Sequence, residues 1–180
     1  MFPLICGLLT RVRAYMSISG KMNLPSEKYG RVETFESGRH RVRFERQLPY
    51  SPEFVWAALI EADQLSKWFP GLLLEAKLGG KFEIWFSGDC EGPAHVTGEV
   101  TKFNPPSALQ MGSMEWSLSA HNSGCHVTFT DILHVDSRGF TEFANSVLGG
   151  WHKYLDSLER HLSGGVGDPR RDPEVDYSKL

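Results

Sequence analysis

The sequence contains few cysteines, and none of them belongs to a close pair. The three cysteines among its 180 residues, Cys6, Cys90 and Cys125, are far apart and make no CxxC motif. A disulfide framework and a structural zinc site each need several such residues at short spacing, so the sequence favours neither. His121 and His126 have no third ligand close by in the sequence, and we expect no metal and no cofactor. Reduced thiols are typical of cytoplasmic proteins, and we predict a cytoplasmic localisation.

The sequence also lacks a long apolar run and a strong charge of one sign. The apolar stretch at residues 1–9 is far shorter than the roughly 20 residues of a membrane helix. Arg11 and Arg13 follow that stretch, whereas a signal peptide has its basic residues first, so neither a membrane span nor secretion is predicted. The formal net charge is −3 with both signs interspersed, and no nucleic-acid partner is predicted.

The short motifs of common catalytic sites are absent as well. The sequence has no GxSxG nucleophile turn, no glycine-rich phosphate loop, no HExxH zinc motif and no EF-hand loop. Each of those chemistries needs its geometry locally, so none of them is predicted. An enzyme that places single polar residues in an apolar cavity would leave no such motif, and that kind of enzyme stays open.

The most regular pattern in the sequence lies near its C-terminus, at residues 141–162. Apolar residues recur there at intervals of three and four: Phe143, Ala144, Val147, Leu148, Trp151, Leu155, Leu158 and Leu162. This spacing predicts a long helix with one apolar face, and the opposite face, which includes His152, is expected to face water. Gly149 and Gly150 lie mid-helix, where each costs about 1 kcal/mol relative to alanine. We therefore expect a sheet, a loop or a ligand to come too close there for a side chain.

The sequence before this helix predicts seven strands and two short helices. Apolar residues alternate with polar ones in the strands, at 40–48, 72–77, 81–87, 94–103, 108–111, 114–119 and 125–135. The helices are predicted at 52–61 and 64–69, where Ser51 is a natural N-cap and Pro52 suits the first helical position. Antiparallel strands in sequence order with one covering helix indicate an α+β fold.

The two ends of the chain are predicted to be mostly flexible. The leader over residues 1–38 has room for one short added strand at 30–35. The tail over residues 164–180 is rich in glycine, proline and charge, which favours mobile chain. The folded domain is therefore predicted at 39–163.

Several short motifs stand in an order that resembles a known family. The motifs are Pro49…Pro52-Glu53…Val55-Trp56, Leu65…Trp68-Phe69, Gly79-Gly80…Phe82, Gly98-Glu99-Val100…Pro105-Pro106…Leu109 and Gly150-Trp151…Leu155…Leu158. Over about residues 29–163 they resemble the family named after the C-terminal domain of the activator of heat-shock-protein-90 ATPase. That family belongs to the START-like, polyketide-cyclase-like superfamily, also called SRPBCC.

The resemblance implies a helix-grip fold of the Bet v-like, START-like kind. In this fold a curved seven-stranded antiparallel sheet wraps around the C-terminal helix, two short helices follow strand 1, and an apolar cavity lies between sheet and helix. Related sequences commonly have an aromatic residue near the end of the strand after the Pro-Pro turn. Here that place reads Met111-Gly112-Ser113, which implies a wider or differently shaped pocket.

Aromatic residues, 12% of the chain, are the feature that points to a ligand. Aromatic walls with a few polar groups are how small apolar ligands are usually held. The predicted ligand-binding residues are Trp68, Phe69, Trp85, Met111, Trp116, Phe129, Asp131, Phe143, Val147 and Trp151. Plain core packing is the alternative interpretation of the aromatic residues among them.

Asp131 is the candidate catalytic residue. It shares a strand face with Val127 and Phe129, so its side chain is expected to point toward the cavity. Burial would raise the pKa of this carboxyl and would suit it to act as an acid or a base. The alternative is a solvated aspartate at a strand end, or one bonded to a neighbouring hydroxyl.

These features favour a protein that binds an apolar or amphipathic small molecule in the cavity, and a homodimer stays open. Two other classes stay open as well. One is a cyclase-like or hydrolase-like enzyme that acts through a cavity group such as Asp131. The other is a protein-interaction or stress-response module, such as a chaperone co-factor. Two convergent titratable groups in a polar cavity would favour the enzyme, whereas a dry apolar pocket would count against it. An exposed apolar patch away from the cavity would favour the interaction module.

Overall fold

The structure is a computed structural model that describes residues 28–35, 38–134, 139–171 and 175–179. Its strands are β1 (Arg31–Phe35), β2 (Arg39–Leu48), β3 (Leu72–Leu74), β4 (Lys81–Ile84), β5 (Val96–Asn104), β6 (Ala108–Met111), β7 (Met114–His121) and β8 (Gly124–Leu133). Its α-helices are α1 (Pro52–Ile60), α2 (Ala62–Trp68) and α3 (Phe140–Leu162), and short 3₁₀ turns follow at Pro169–Arg171 and Tyr177–Lys179. In the described part of the chain, no helix is long and apolar enough to cross a membrane.

The strands form one antiparallel sheet in the order β1-β2-β8-β7-β6-β5-β4-β3. The predicted α+β helix-grip fold, with two short helices after the first core strand and a long C-terminal helix, is confirmed. The sheet has eight strands where the family resemblance implies seven. The additional strand is β1, which lies at the place in the leader where an added strand was considered, and it pairs with β2 from Arg31 opposite Arg43 to Phe35 opposite Arg39.

A local sequence signal explains where α1 begins. The Ser51 hydroxyl accepts a hydrogen bond from the Phe54 backbone N–H at 3.3 Å and caps α1, with Pro52 in the first turn. β3 ends earlier than predicted because the backbone turns between β3 and β4, where the Lys77 N–H donates to the Glu75 carbonyl and the Gly80 N–H donates to the Lys77 carbonyl. β4 begins where it was predicted but ends earlier, at Ile84, because another turn follows it, in which the Gly88 N–H donates to the Trp85 carbonyl.

The apolar face of α3 packs into the core. Its fully buried residues include Ala144, Leu148, Trp151, Leu155, Leu158 and Leu162, as the spacing of three and four predicts. The expectation that a sheet or a loop crowds the mid-helix glycines is wrong at Gly150, where an added Cβ would meet no protein atom within 4 Å, and the alternative of a ligand stays a prediction. The helix face opens there onto empty space.

His152 does not face water, contrary to the expectation for its side of α3, and is only 3% exposed. Segments from both ends of the chain cover it. The Tyr29 ring lies 5.3 Å from the imidazole between centroids, and the Tyr177 hydroxyl lies 2.8 Å from His152 Nδ1. Tyr177 Oη also accepts a hydrogen bond from the Gly30 N–H at 2.9 Å, so it links the start of β1 to α3.

The division of the chain into a leader, a domain at 39–163 and a tail stays a prediction. Residues 1–27, 36–37, 172–174 and 180 lie outside the described residues, as does Val135 at the end of the last predicted strand. The described residues on both sides of the predicted domain make contacts with it. One example is the ion pair between Lys28 Nζ and Asp156 Oδ2 at 3.1 Å.

Candidate functional site

A cavity of about 410 Å³ opens beside the middle of α3, and we call it the α3 cavity. Its lining residues are Phe86, Val96, Asp131, Phe143, Ser146, Val147, Gly150, Trp151, Lys153 and Tyr154. Most of these residues come from α3, where positions three and four apart are neighbours on the helix surface. The remaining ones come from the end of β4, the start of β5 and the end of β8. The cavity therefore lies between the C-terminal helix and the sheet.

Asp131 is held at the cavity wall by two hydrogen bonds. The Ser113 hydroxyl donates to Oδ1 at 2.6 Å, and the Trp151 indole N–H donates to Oδ2 at 3.0 Å. Ser113 belongs to the tight turn between β6 and β7, where Gly112 has a φ of 57° and so takes a conformation that glycine adopts readily. The pairing of β7 with β8 sets Asp131 opposite Met114, next to that turn.

Burial raises the pKa of the Asp131 carboxyl above its ordinary value. The two donated hydrogen bonds and the nearby His134 act in the opposite direction, since they favour the charged carboxylate, but burial is the largest cause. The partly buried carboxyl of Asp131 therefore favours its neutral form more than a solvent-exposed aspartate does. It can accept hydrogen bonds, and once protonated it can donate one.

Trp151 is one of the aromatic residues of the cavity wall, and its ring is fixed from two sides. Asp131 holds the indole nitrogen, and the Phe129 ring lies 4.4 Å from the indole between centroids. Phe129 in turn packs on Trp116 at 4.5 Å. A wall that is already ordered loses little conformational entropy when a ligand settles against it.

The structure brings together four of the predicted site residues at the cavity: Asp131, Phe143, Val147 and Trp151. Five others lie in the hydrophobic core behind the cavity and are at most 2% exposed: Trp68, Phe69, Met111, Trp116 and Phe129. Trp85 is buried, and its indole N–H donates to the Gly92 carbonyl at 3.1 Å. Core packing, the alternative given above, describes the surroundings of the first five, whereas Trp85 is buried outside that core cluster.

Six residues of the cavity lining were not among the predicted ligand-binding residues: Phe86, Val96, Ser146, Gly150, Lys153 and Tyr154. Helical spacing from Phe143 and Val147 could have found the four that belong to α3. Phe86 is one of the aromatic residues that pointed to a ligand, whereas no sequence signal points to Val96; both reach the cavity only through the pairing of β4 with β5 and the packing of the strand ends on α3. The Tyr154 hydroxyl donates to the Phe86 carbonyl at 3.3 Å and ties these parts together.

The mouth of the cavity carries exposed apolar side chains. Phe86 is 43% exposed, Phe143 is 43% exposed and Val96 is 36% exposed. A larger depression of about 630 Å³ lies between α2 and the β3–β4 edge, but charged side chains such as Asp63, Glu75, Lys81 and Glu83 contribute to its lining. The α3 cavity combines aromatic walls with one partly buried carboxyl, and apolar walls with a few polar groups are the usual composition of a small-molecule site.

The described residues contain no group of three or more histidine, cysteine, aspartate or glutamate side chains that could hold a metal ion. The cavity itself offers one carboxylate and one ammonium group, from Asp131 and Lys153. A divalent metal normally needs several oxygen, nitrogen or sulfur ligands. The expectation that no metal or cofactor is used stays a prediction.

Residues 49–163 match a family model described as Activator of Hsp90 ATPase homolog 1-like protein. The chain belongs to this family. The match covers well over half of the 180 residues and includes most of the α3 cavity, with β4, β5, β8 and α3. The family resemblance inferred from the sequence motifs is thereby confirmed.

Solved structures with low sequence identity share the fold of this family member. The conserved protein of unknown function EF2215 from Enterococcus faecalis is 21% identical with a TM-score of 0.61, covering 83% of this chain and 84% of that chain. The solution structure of CalU16 from Micromonospora echinospora is 19% identical with a TM-score of 0.60, covering 81% of each chain. The Aha1 dimer from Colwellia psychrerythraea is 21% identical with a TM-score of 0.54, covering 68% of this chain and 95% of that one.

These similarities support the helix-grip fold described above. At such identities the likeness concerns the fold alone. No curated protein sequence matches the chain.

Proposed function

We propose that this family member binds an apolar or amphipathic small molecule in the α3 cavity. One observation carries the proposal: an open cavity of about 410 Å³ has aromatic and aliphatic walls and a partly buried carboxyl. Small-molecule sites typically measure about 300–1,000 Å³ and combine apolar walls with a few polar groups. The START-like fold supports the proposal because its cavity has the same place, between the sheet and the C-terminal helix.

Gly150 is proposed to keep the cavity open. It lies on α3 between Val147 and Tyr154, and an added Cβ would meet no atom within 4 Å. A helix-interior glycine normally lowers stability by about 0.5–1 kcal/mol relative to alanine. We infer that this loss of stability is offset in function, because the missing side chain at Gly150 leaves space for a ligand.

Asp131 is proposed to position the aromatic wall. Its carboxyl accepts the Trp151 indole N–H at 3.0 Å and so sets the plane of the ring that a ligand would contact. The Ser113 hydroxyl holds the second carboxyl oxygen. A change of Asp131 is therefore expected to weaken binding through the orientation of Trp151.

Native mass spectrometry of the purified protein tests the proposal, with extraction and identification of any bound molecule. Where the protein is purified without a ligand, thermal shifts across a panel of lipids and polyketides take its place. We expect a bound molecule or a positive shift in the wild type and in Gly150→Ala, whose methyl group leaves most of the cavity open. We expect neither in Gly150→Leu, whose side chain extends into it.

Gly150→Ala and Gly150→Leu form a matched pair because both place a side chain at the same open position. Loss of the ligand in Gly150→Leu alone would support the cavity as the site. Equal binding by both variants, or an unliganded wild type that responds to no member of the panel, would contradict the proposal.

A homodimer and a cytoplasmic localisation are also proposed. The dimer is supported by the similar structure described as an Aha1 dimer. Sedimentation equilibrium would reveal it as twice the chain mass of 20.3 kDa, and a monomer at all concentrations would contradict it.

The cyclase-like or hydrolase-like enzyme stays a hypothesis, for which Asp131 is the available acid or base. The protein-interaction module also stays a hypothesis, and the exposed apolar residues Leu73 and Leu78 near the sheet edge are the observation that favours it.

A further inference from the structure

The α3 cavity has two charged lining residues, Asp131 and Lys153, and they differ in how the protein satisfies them. Both oxygens of Asp131 accept a hydrogen bond from the protein, from Ser113 at 2.6 Å and from Trp151 at 3.0 Å. Within the part of the chain that the structure describes, Lys153 makes no hydrogen bond and no ion pair. The ammonium group is therefore the charged group that the cavity leaves available to a ligand.

Helix geometry places Lys153 toward one end of the cavity, next to Trp151 and Tyr154, and the apolar Phe143 toward the other. Lys153 follows Gly150 by three residues, and Val147 and Phe143 precede Gly150 by three and seven residues, so all four lie along one side of α3. At 1.5 Å of rise per residue, Lys153 and Phe143 are about 15 Å apart along the helix axis. The cavity thus has a cationic end, a side-chain-free middle at Gly150 and an apolar end.

Resting on the function proposed above, we infer that the ligand is an amphiphile with an anionic head group, which Lys153 binds, while Val147 and Phe143 hold its apolar body. A hydrogen bond between an ammonium group and an anion is stronger than one between neutral groups. Lysine presents a compact point charge and does not select between planar and tetrahedral anions. A carboxylate and a phosphate monoester are thus equally compatible head groups.

The second charged residue does not oppose an anion strongly. Asp131 is bound to donors of the protein, and burial raises the pKa of its carboxyl, which reduces its negative charge at a given pH. The other polar lining groups are hydroxyls, of Ser146 and Tyr154. The Tyr154 hydroxyl already donates to the Phe86 carbonyl.

Isothermal titration calorimetry with ligands of one chain length and different head groups tests this inference. The probes are decanoate, decyl phosphate, 1-decanol and decylammonium, each below its aggregation concentration and at pH 7.5. We expect at least one of the two anions to bind about tenfold more tightly than 1-decanol, as expected for one charge-assisted hydrogen bond, and decylammonium to bind most weakly. The tighter of the two anions identifies the head group.

Substitutions at Lys153 show whether the preference comes from this residue. Lys153→Gln is expected to lose the roughly tenfold preference for the anion while 1-decanol binds as before, and Lys153→Arg is expected to retain it. Lys77→Gln is the matched control, because Lys77 lies on the turn between β3 and β4 with its side chain 71% exposed. The control is expected to bind the anion like the wild type.

Two outcomes would overturn the inference, and they differ in what they say about the cavity. If 1-decanol binds as tightly as the anions, the anionic head group is wrong, and if Lys153→Gln keeps the preference, Lys153 does not bind the head group; in both cases the inference fails and the binding function stands. If none of the four probes binds the wild type, the inference and the proposed binding function both fail.

Discussion

Asp131 contributes both to the stability of the fold and to the proposed binding site. Its carboxyl joins the β6–β7 turn to α3 through Ser113 and Trp151. Burial raises its pKa, because the charged carboxylate loses more hydration than its two hydrogen bonds restore. The native state therefore holds the Asp131 proton more firmly than the unfolded chain does.

This difference predicts how the variant Asp131→Asn responds to pH. Between the unfolded pKa, about 3.9, and the raised native pKa, the native state binds more protons than the unfolded state. The contribution of Asp131 to the free energy of unfolding therefore falls as the pH rises through that window. Asparagine has no such dependence and can still accept the Trp151 N–H. We expect Asp131→Asn to gain stability relative to the wild type from acidic to neutral pH.

Urea unfolding of both proteins at several pH values between 3.5 and 7.5 measures this difference. The titration of the other groups is common to both proteins and cancels in the comparison. If the two free energies of unfolding depend on pH in the same way, or if the stability of the variant relative to the wild type falls as the pH rises, burial does not raise the Asp131 pKa.

Tyr177 is a second residue on which distant parts of the chain depend. Its hydroxyl contacts the Gly30 N–H and His152 Nδ1, and burial raises its pKa to about 12. Tyr177→Phe removes both contacts and keeps the ring. We expect the free energy of unfolding to fall by about 1–3 kcal/mol, since each of the two lost hydrogen bonds contributes about 0.5–1.5 kcal/mol, and hydrogen exchange at Gly30 to accelerate.

Tyr29→Phe is the matched control for Tyr177→Phe, because Tyr29 also packs its ring on His152 but no hydrogen bond of its hydroxyl is found among the described residues. It is expected to leave the urea midpoint and the Gly30 exchange rate unchanged. If Tyr177→Phe behaves like this control, Tyr177 does not secure the start of β1.

At the scale of elements, α3 was the most predictable part of the fold. Intervals of three and four in its apolar residues fixed its length to within one residue, because that period is specific to a helix that buries one face. The burial of His152 could not be predicted in this way. It depends on Tyr29 and Tyr177, which lie more than 20 residues away in the sequence, and periodicity carries no information about such contacts.

Gly150 gives a prediction about α3 itself. Because an added Cβ would meet nothing within 4 Å, Gly150→Ala gains helix propensity without a clash. We expect its free energy of unfolding to rise by about 0.5–1 kcal/mol, measured by urea unfolding.

Gly164→Ala is the contrasting variant for Gly150→Ala. Gly164 follows the end of α3 with a φ of 82°, a backbone conformation in which a Cβ is strained, so this change is expected to lower stability. If both changes acted in the same direction, the difference in backbone conformation between the two positions would not determine their effect.

The candidate site could be predicted only in part. Strand alternation correctly set Asp131 on the face of Phe129, and helical spacing set Phe143, Val147 and Trp151 on one side of α3. The same patterns could not separate residues that line the cavity from residues that fill the core, since both face inward. Trp116 and Phe129 therefore looked like ligand contacts from the sequence, although they pack behind Trp151.

At the scale of the whole molecule, α3 is covered on two sides. The sheet and the aromatic core bury its apolar face, and β1 with the segment around Tyr177 covers His152. The stretch from Phe143 to Tyr154 that borders the α3 cavity stays open between these two contacts. The account of function depends on this opening, and its central claim is that a ligand enters it and contacts Trp151.

The most direct test of that claim is nuclear magnetic resonance of the tryptophan indole N–H groups during titration with decanoate. The chain has five tryptophans, and Trp151→Phe assigns the resonance of Trp151 by its disappearance. Trp56 in α1, which packs on Phe103, serves as the internal control. We expect the Trp151 resonance to move saturably while that of Trp56 stays in place. A Trp151 resonance that does not move, or equal shifts of both resonances, would contradict binding in the α3 cavity.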